Sequence, residues 1–458
     1  MSPTAFDTGT LEARHHELRK MRMSMVGGKL ISNLRTLERG VSARAYRGGY
    51  WGFASAPAVG SSADEAAAMA RVERQAADNA RAMARFGSRQ PLDLPGEGYR
   101  GRHAFTGKPA LSASECGERL AALNAWVEKT YPGLRPTQFL ISEEEHRKQL
   151  RTDLGGDSLA SIQRGVFAVT LVGEAEDGAP IEVDEVLSGL GSLADLDWSL
   201  DTVAPLIDRL HEHLQAKRHA VAARGGPQTV VMAPELAGML AHEAMGHPCE
   251  ADAVLAGAVT ADLVGQRVAS ELVTMVDLAH SYEGREVMCP VYVDDEGVAA
   301  RDVVMIDRGR LNHFMHSRET AARMGQAPTG NARAYNPGDE PLVRMRNTVI
   351  LPGRSTIESM IEGVDDGYLL LKTGNGQADT TTEFMFGVTL GYQIRGGKLG
   401  RAIRDTTVSG SAIKVLQSVD AVGNDMYWTC SGYCGKKQPM VVSVGGPSLR
   451  ARAHLGGE

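Results

Sequence analysis

The stretch Thr229-Val-Val-Met-Ala-Pro-Glu-Leu-Ala-Gly-Met-Leu-Ala-His-Glu-Ala-Met-Gly-His247 joins a strand to a helix, and the fold class of the whole chain turns on that junction. It opens as a short apolar strand. Pro234 and Glu235 then suit the first turn of a helix, where the missing proline N–H costs nothing and a carboxylate meets the positive end of the helix dipole. Leu236, Met239 and Leu240 give that helix a buried side. Its next turn carries His242, Glu243 and His247 in the pattern H-E-x-x-x-H. Positions four apart on a helix lie roughly 40° from each other, whereas positions five apart diverge by roughly 140°. For both imidazoles to meet one ion, the helix must widen to an i→i+5 turn or break before His247. Gly246 permits the break, and Pro248 helps to end the helix.

Upstream of this junction, strands alternate with long helices. Residues 33 to 54 alternate as strands, with Gly48-Gly49 turning between them. Ser62 and Glu65 read as a capping box for a helix that carries Met69, Val72, Ala76 and Met83 and stops before Gly87. A second helix is expected over 114–130 and a third over 201–223, where Leu206, Leu210 and Leu214 repeat every four residues. Strands at 137–146 and 164–174 flank a turn at Gly155-Gly156, and Arg224-Gly225-Gly226-Pro227 stops the third helix. Downstream, 286–293, 298–306, 341–350, 383–395 and 398–408 read as strands. The expected class is α+β. An N-terminal domain over 1–224 combines antiparallel strands with long helices, and a β-rich C-terminal domain over 225–458 carries the candidate metal-site helix.

Composition narrows the function. A chain of 458 residues is too long for one small core. Its net charge of -7 has the wrong sign for a nucleic-acid binder, and no basic stripe interleaves with aromatics. Met1–Asp7 shows no secretory signal, and no apolar run approaches the roughly 20 residues of a membrane helix. The five cysteines are odd in number and scattered, which argues against a disulfide framework and for a reducing cytoplasm.

Two histidines flanking a glutamate suggest a metal with a general base beside it. Zinc acidifies a water to a pKa of about 7, and a neighbouring carboxylate such as Glu243 can accept its proton. Glu250 and Asp252 follow closely enough to orient a ligand imidazole from behind. A catalytic zinc usually has a third protein ligand. Cys249, Cys289, His280, His313, His316, Cys430 and Cys434 are the candidates. Cys249 lies too near His247 to chelate comfortably, and Cys289 belongs to an apolar run. Spacing alone does not choose among the rest.

His242-Glu-Ala-Met-Gly-His-Pro-Cys-Glu-Ala-Asp252, together with Tyr433-Cys-Gly-Lys436, resembles the TldD/PmbA family of metallopeptidases, and most closely its metal-bearing TldD-type subunit. Asp294-Asp-Glu-Gly297, Thr329-Gly-Asn-Ala-Arg333, Arg344-Met-Arg-Asn-Thr348 and Gly445-Gly-Pro447 look like further family landmarks in the expected order. The resemblance implies Zn2+ on His242, His247 and Cys434, with Glu243 catalytic and Cys430 without a role. It also implies a dimer, either a heterodimer with a PmbA/TldE-type subunit or a homodimer, acting on unstructured peptides or peptide precursors.

Two rivals compete. One is a closed structural zinc site on His242, His247, Cys430 and Cys434, which leaves no place for water. The other is a non-catalytic peptide-binding or scaffold subunit. If the chain is a peptidase, a sheet edge near the metal is expected to hold the substrate extended, with Arg344 and Asn347 as contacts.

Overall fold

Three long strands begin the chain, and glycine makes their turns. The computed structural model describes residues 10–457, so Met1–Asp7 lies outside the described residues. Thr10–Val26 (β1) and Lys29–Arg47 (β2) turn through Gly27-Gly28, and β2 turns into Tyr50–Pro57 (β3) through Gly48-Gly49. All four glycines have φ between 52° and 87°, the left-handed backbone that a two-residue hairpin turn demands. The helix Ser62–Phe86 (α1) follows, and its cap is Ser61 with Asp64, one residue earlier than the expected Ser62 and Glu65. The shift is geometric. The cap residue must lie outside the helix for its hydroxyl to reach the third helical N–H. α1 sets Ala68, Val72, Ala76 and Ala80 against the sheet. The approach is so close that a Cβ on Gly52 would overlap the α1 backbone at Ala76 and Ala80.

Arg100–His103 (β4), Ala113–Thr130 (α2), Gln138–Thr152 (β5), Asp157–Glu174 (β6), Pro180–Leu190 (β7) and Leu200–Arg218 (α3) complete the first half. The sheet runs β3-β2-β1-β5-β6, and both β4 and β7 pair with β6. Leu120, Leu123 and Val127 of α2 and Val203, Ile207 and Leu210 of α3 pack with Met21, Met23, Phe139 and Phe167 of the sheet. α3 ends at Arg218, short of the expected 223, and Val221 instead bridges Ile403 in the second half.

Gly226–Met232 (β8) leads into Pro234–Met239 (α4). β8 lies between Asp366–Ala378 and Leu449–Leu455; Thr406–Ser411 and Glu383–Arg395 follow, and the last pairs back onto Asp366–Ala378. Five strands therefore close a ring. A second sheet orders Arg310–Leu311, Val303–Asp307, Met275–Leu278, Asn347–Ile350, Ser443–Gly446 and Tyr427–Thr429. The expected strand over 383–395 is present, whereas 341–350 and 398–408 are each split in two. Of 286–293 only Glu286, the end of the strand Arg285–Glu286, belongs to a strand, although Cys289, Val291 and Val293 are buried. There the apolar alternation records burial without a hydrogen-bonded ladder.

The first sheet meets the second half through buried charge. Asp295 bonds Arg14 at 3.1 Å and Lys148 at 2.7 Å. Glu296 pairs with Arg44, which also holds Glu12 at 3.0 Å. Breaking one such pair leaves a buried charge uncompensated, at a cost of about 3–5 kcal/mol. The landmark Asp294-Asp-Glu thus joins the first sheet to the second half.

Candidate metal centre

The regular turns of α4 stop at Met239. Leu240–Gly246 is a π-helix, and the His247 N–H donates to the carbonyl of His242. Of the two alternatives left open by five-residue spacing, the widened turn is the one adopted. Gly246 is needed there because a Cβ would overlap Met345 Sδ. Gly238, about two turns earlier, lets the helix rest on the strand backbone at Gly445, 3.1 Å from where a Cβ would stand.

Cys434 comes from the hairpin Tyr433–Lys436 and Gln438–Val441. Its Sγ lies 3.2 Å from His247 Nε2, and one donor atom each from His242, His247 and Cys434 fall within 4.8 Å of one another. The two imidazoles stand 5.3 Å apart at 75°. Burial alone would push the Cys434 thiol up, but His242 and His247 beside it pull it down to about 5. A thiolate-forming sulfur and two imidazole nitrogens are the donor set of a zinc site with bonds of about 2.0–2.3 Å. His242 Nδ1 is buried without a partner, a second sign of a site organised around something other than the protein. These residues fit a zinc ion.

Glu243 stands beside them, its carboxylate 3.9 Å from His242 Nε2 and 3.8 Å from His247 Nε2. Among the described residues it accepts no hydrogen bond. Its side chain is 21% exposed and that of His247 23%, so this is the side that solvent reaches. Behind His247, Nδ1 bonds Glu250 Oε2 at 3.0 Å. Glu250 is fully buried. Burial raises its carboxyl, but His247 and Lys436 outweigh that and hold it at about 2. Asp252 is one step further out, accepting from Lys436 Nζ at 2.6 Å. Lys436 therefore holds the carboxylates behind His247.

The other candidates lie elsewhere. Cys430 is buried beside Cys289, whose thiol is raised by that neighbour and by burial, and Cys430 does not join the donor cluster. Cys249 is buried, and burial pushes its thiol up to about 12. His280 stacks on Tyr292, and His316 bonds Thr320. Arg344 and Asn347, expected to contact substrate, require correction. Both are 0% exposed. Arg344 donates to the carbonyls of Cys434 at 2.6 Å and Gln438 at 2.8 Å, while Asn347 bonds the backbone of Leu278 and Cys289. They build the site and are not open to a ligand. Sequence reasoning also missed Arg164, Glu144 and Ser188 of the first sheet, which touch the segment before Cys434. No local motif marks them.

The sequence matches the family described as PmbA/TldA metallopeptidase C-terminal domain over residues 225–455, and that described as PmbA/TldA metallopeptidase domain 1 over 11–84. Similar proteins include a zinc metalloprotease TldD homologue of Saccharolobus solfataricus, 30% identical over 328 residues, which span 71% of this chain and 72% of that protein. A metalloprotease of Methanocaldococcus jannaschii is 41% identical over 233 residues, half of this chain and 51% of its own. The fold is similar to that of TldE from Thermococcus kodakarensis, with a TM-score of 0.75 over 97% of each chain at 17% identity. The mixed α+β architecture and these matches agree on one family, whose domains are described as metallopeptidase domains. The chain belongs to the PmbA/TldD metallopeptidase family.

Proposed function

We propose that this chain is a zinc-dependent peptidase acting on unstructured peptides or peptide precursors, with Glu243 as general base. The observation that carries the proposal is the convergence of His242, His247 and Cys434, with an uncommitted carboxylate on their open side. Zinc held there would supply Lewis acidity, polarising a peptide carbonyl and acidifying water. Glu243 takes the proton of the attacking water and returns it to the departing amine. Glu250 accepts from His247 Nδ1 and so keeps Nε2 turned toward the donor cluster, and Lys436 anchors Glu250. Cys430, engaged with Cys289, is not offered as a fourth donor, which favours an open site over the closed structural one.

Extended substrates fit this geometry. Among the described residues the strand carrying Cys434 pairs with Gln438–Val441 alone, and a peptide strand beside the donors belongs to the same proposal. Two domains, 1–224 and 225–458, form the working unit. A second subunit, either PmbA/TldE-type or another copy, belongs to the same proposal. In support, β3 pairs with β2 only from Gly40 onward, and Leu30, Ile31, Leu34 and Leu37 are more than half exposed along the part of β2 that pairs with β1 but not with β3. Five free cysteines support a cytoplasmic setting, and among the described residues no helix is long and apolar enough to cross a membrane. The zinc-loaded chain should cut an unfolded protein much faster than the same protein folded, and chelation should abolish the cleavage. Equal rates on folded and unfolded forms would refute the substrate class, and chelator-insensitive cleavage would refute the metal.

A further inference from the structure

The short strand with the thiol donor, Tyr433–Lys436, follows an irregular segment, Cys430–Gly432, which separates it from Tyr427–Thr429. That segment rests on the first sheet. Arg164 on β6 is buried, and its Nη1 donates to the carbonyls of Cys430 and of Gly432, the latter at 2.9 Å. Its Nη2 reaches Glu144 Oε2 on β5 at 3.2 Å, and its guanidinium lies 4.3 Å from the centre of the Tyr433 ring. The Tyr433 hydroxyl donates to the same oxygen of Glu144. On β7, Ser188 Oγ accepts from the Cys430 N–H at 3.0 Å. Past the donor, Arg344 takes the Cys434 carbonyl. The ligand is thus gripped from the first sheet on one side and from the second half on the other.

We propose that Arg164, braced by Glu144, is a positioning residue for the Cys434 ligand, so that the first sheet completes the metal site. This rests on the zinc reading given above. A planar guanidinium can hold two carbonyls and a carboxylate at once, which a lysine ammonium does less rigidly. Two of those bonds fall on residues two and four positions before Cys434. Removing them frees the backbone that aims the sulfur, and losing such outer partners typically weakens metal affinity by about 10–100-fold.

The test uses the full chain as wild type, Arg164→Gln, Arg164→Lys, Tyr433→Phe and Arg14→Gln. Arg14→Gln breaks a contact between the first sheet and the second half that does not touch the loop. Zinc affinity by chelator competition and the sulfur-to-metal charge-transfer band of the cobalt-loaded protein are measured beside the melting temperature. Arg164→Gln should lose roughly 10–100-fold in zinc affinity and most of the band, with partial recovery in Arg164→Lys. Arg14→Gln should lower the melting temperature while leaving affinity and band intact. A folded Arg164→Gln with wild-type affinity and band overturns the proposal, as does an equal loss in Arg14→Gln. If Arg164→Gln does not fold, Tyr433→Phe decides, because it removes only the hydroxyl from Glu144. A several-fold weakening is then expected, and unchanged affinity overturns the proposal. A wild-type chain that takes up neither ion refutes the zinc reading itself, so the two failures are told apart.

Discussion

The turn from His242 to His247 and the segment from Cys430 to Lys436 supply donors to one cluster, yet they are fixed in opposite ways. The first is set from within. Its π turn closes through a backbone bond between its own two histidines, and Gly246 gives it room beside Met345. The second is set from outside. Arg164, 266 residues from Cys430 in the chain, holds one side, and Arg344 holds the other. A site can therefore join a ligand pair encoded by neighbours in sequence to a ligand whose place is dictated by the rest of the fold.

The largest effect that would break this comparison is loss of the outer donor. Cys434→Ala should lose zinc and hydrolysis together, whereas Cys430→Ala should keep near-stoichiometric zinc and most activity. Metal analysis and peptide cleavage on both proteins check this. Equal loss in both would restore the closed structural site.

The bracing behind His247 is a smaller term, visible in pH. Glu250 sits at about 2 in the fold against an ordinary 4.5. A lowered carboxylate contributes stability that is complete above about 4.5 and disappears as pH falls toward 2, about 3 kcal/mol for this shift. Denaturant midpoints of the metal-free protein should fall over that window, and Glu250→Gln should flatten the fall. A wild-type curve no steeper than the variant's would contradict the pairing.

Gly246→Ala probes the inner turn. Overpacking against Met345 should cost about 1–3 kcal/mol and reduce zinc affinity as His242 and His247 are prised apart. Unchanged thermal unfolding and zinc uptake would show that the turn has slack.

The legibility of each region follows its range of interaction. The need for a widened or broken helix was plain from five-residue spacing, because helix geometry is local. Most of the long strands and all three long helices of the first half were legible from alternation and capping, although β1 and β7 were missed and the first cap fell one residue early. Arg344 and Asn347 were misassigned because nothing in their neighbourhood reveals 0% exposure. Arg164 and Glu144 carried no signal at all. Arg164 meets the site through the carbonyls of Cys430 and Gly432, 266 and 268 residues away, which leave no trace in side-chain pattern, and Glu144 meets it only through Arg164 and Tyr433. Cys434 itself was separated from Cys430 by resemblance and not by spacing.

The central claim, that Glu243 performs base chemistry beside a three-donor zinc site, is tested most directly by Glu243→Gln. Zinc content and hydrolysis of an unstructured peptide are measured on the same preparations of variant and wild type. Full zinc occupancy is expected in both, with hydrolysis lower in the variant by about two to four orders of magnitude. Near-normal hydrolysis by a zinc-loaded Glu243→Gln protein would contradict it.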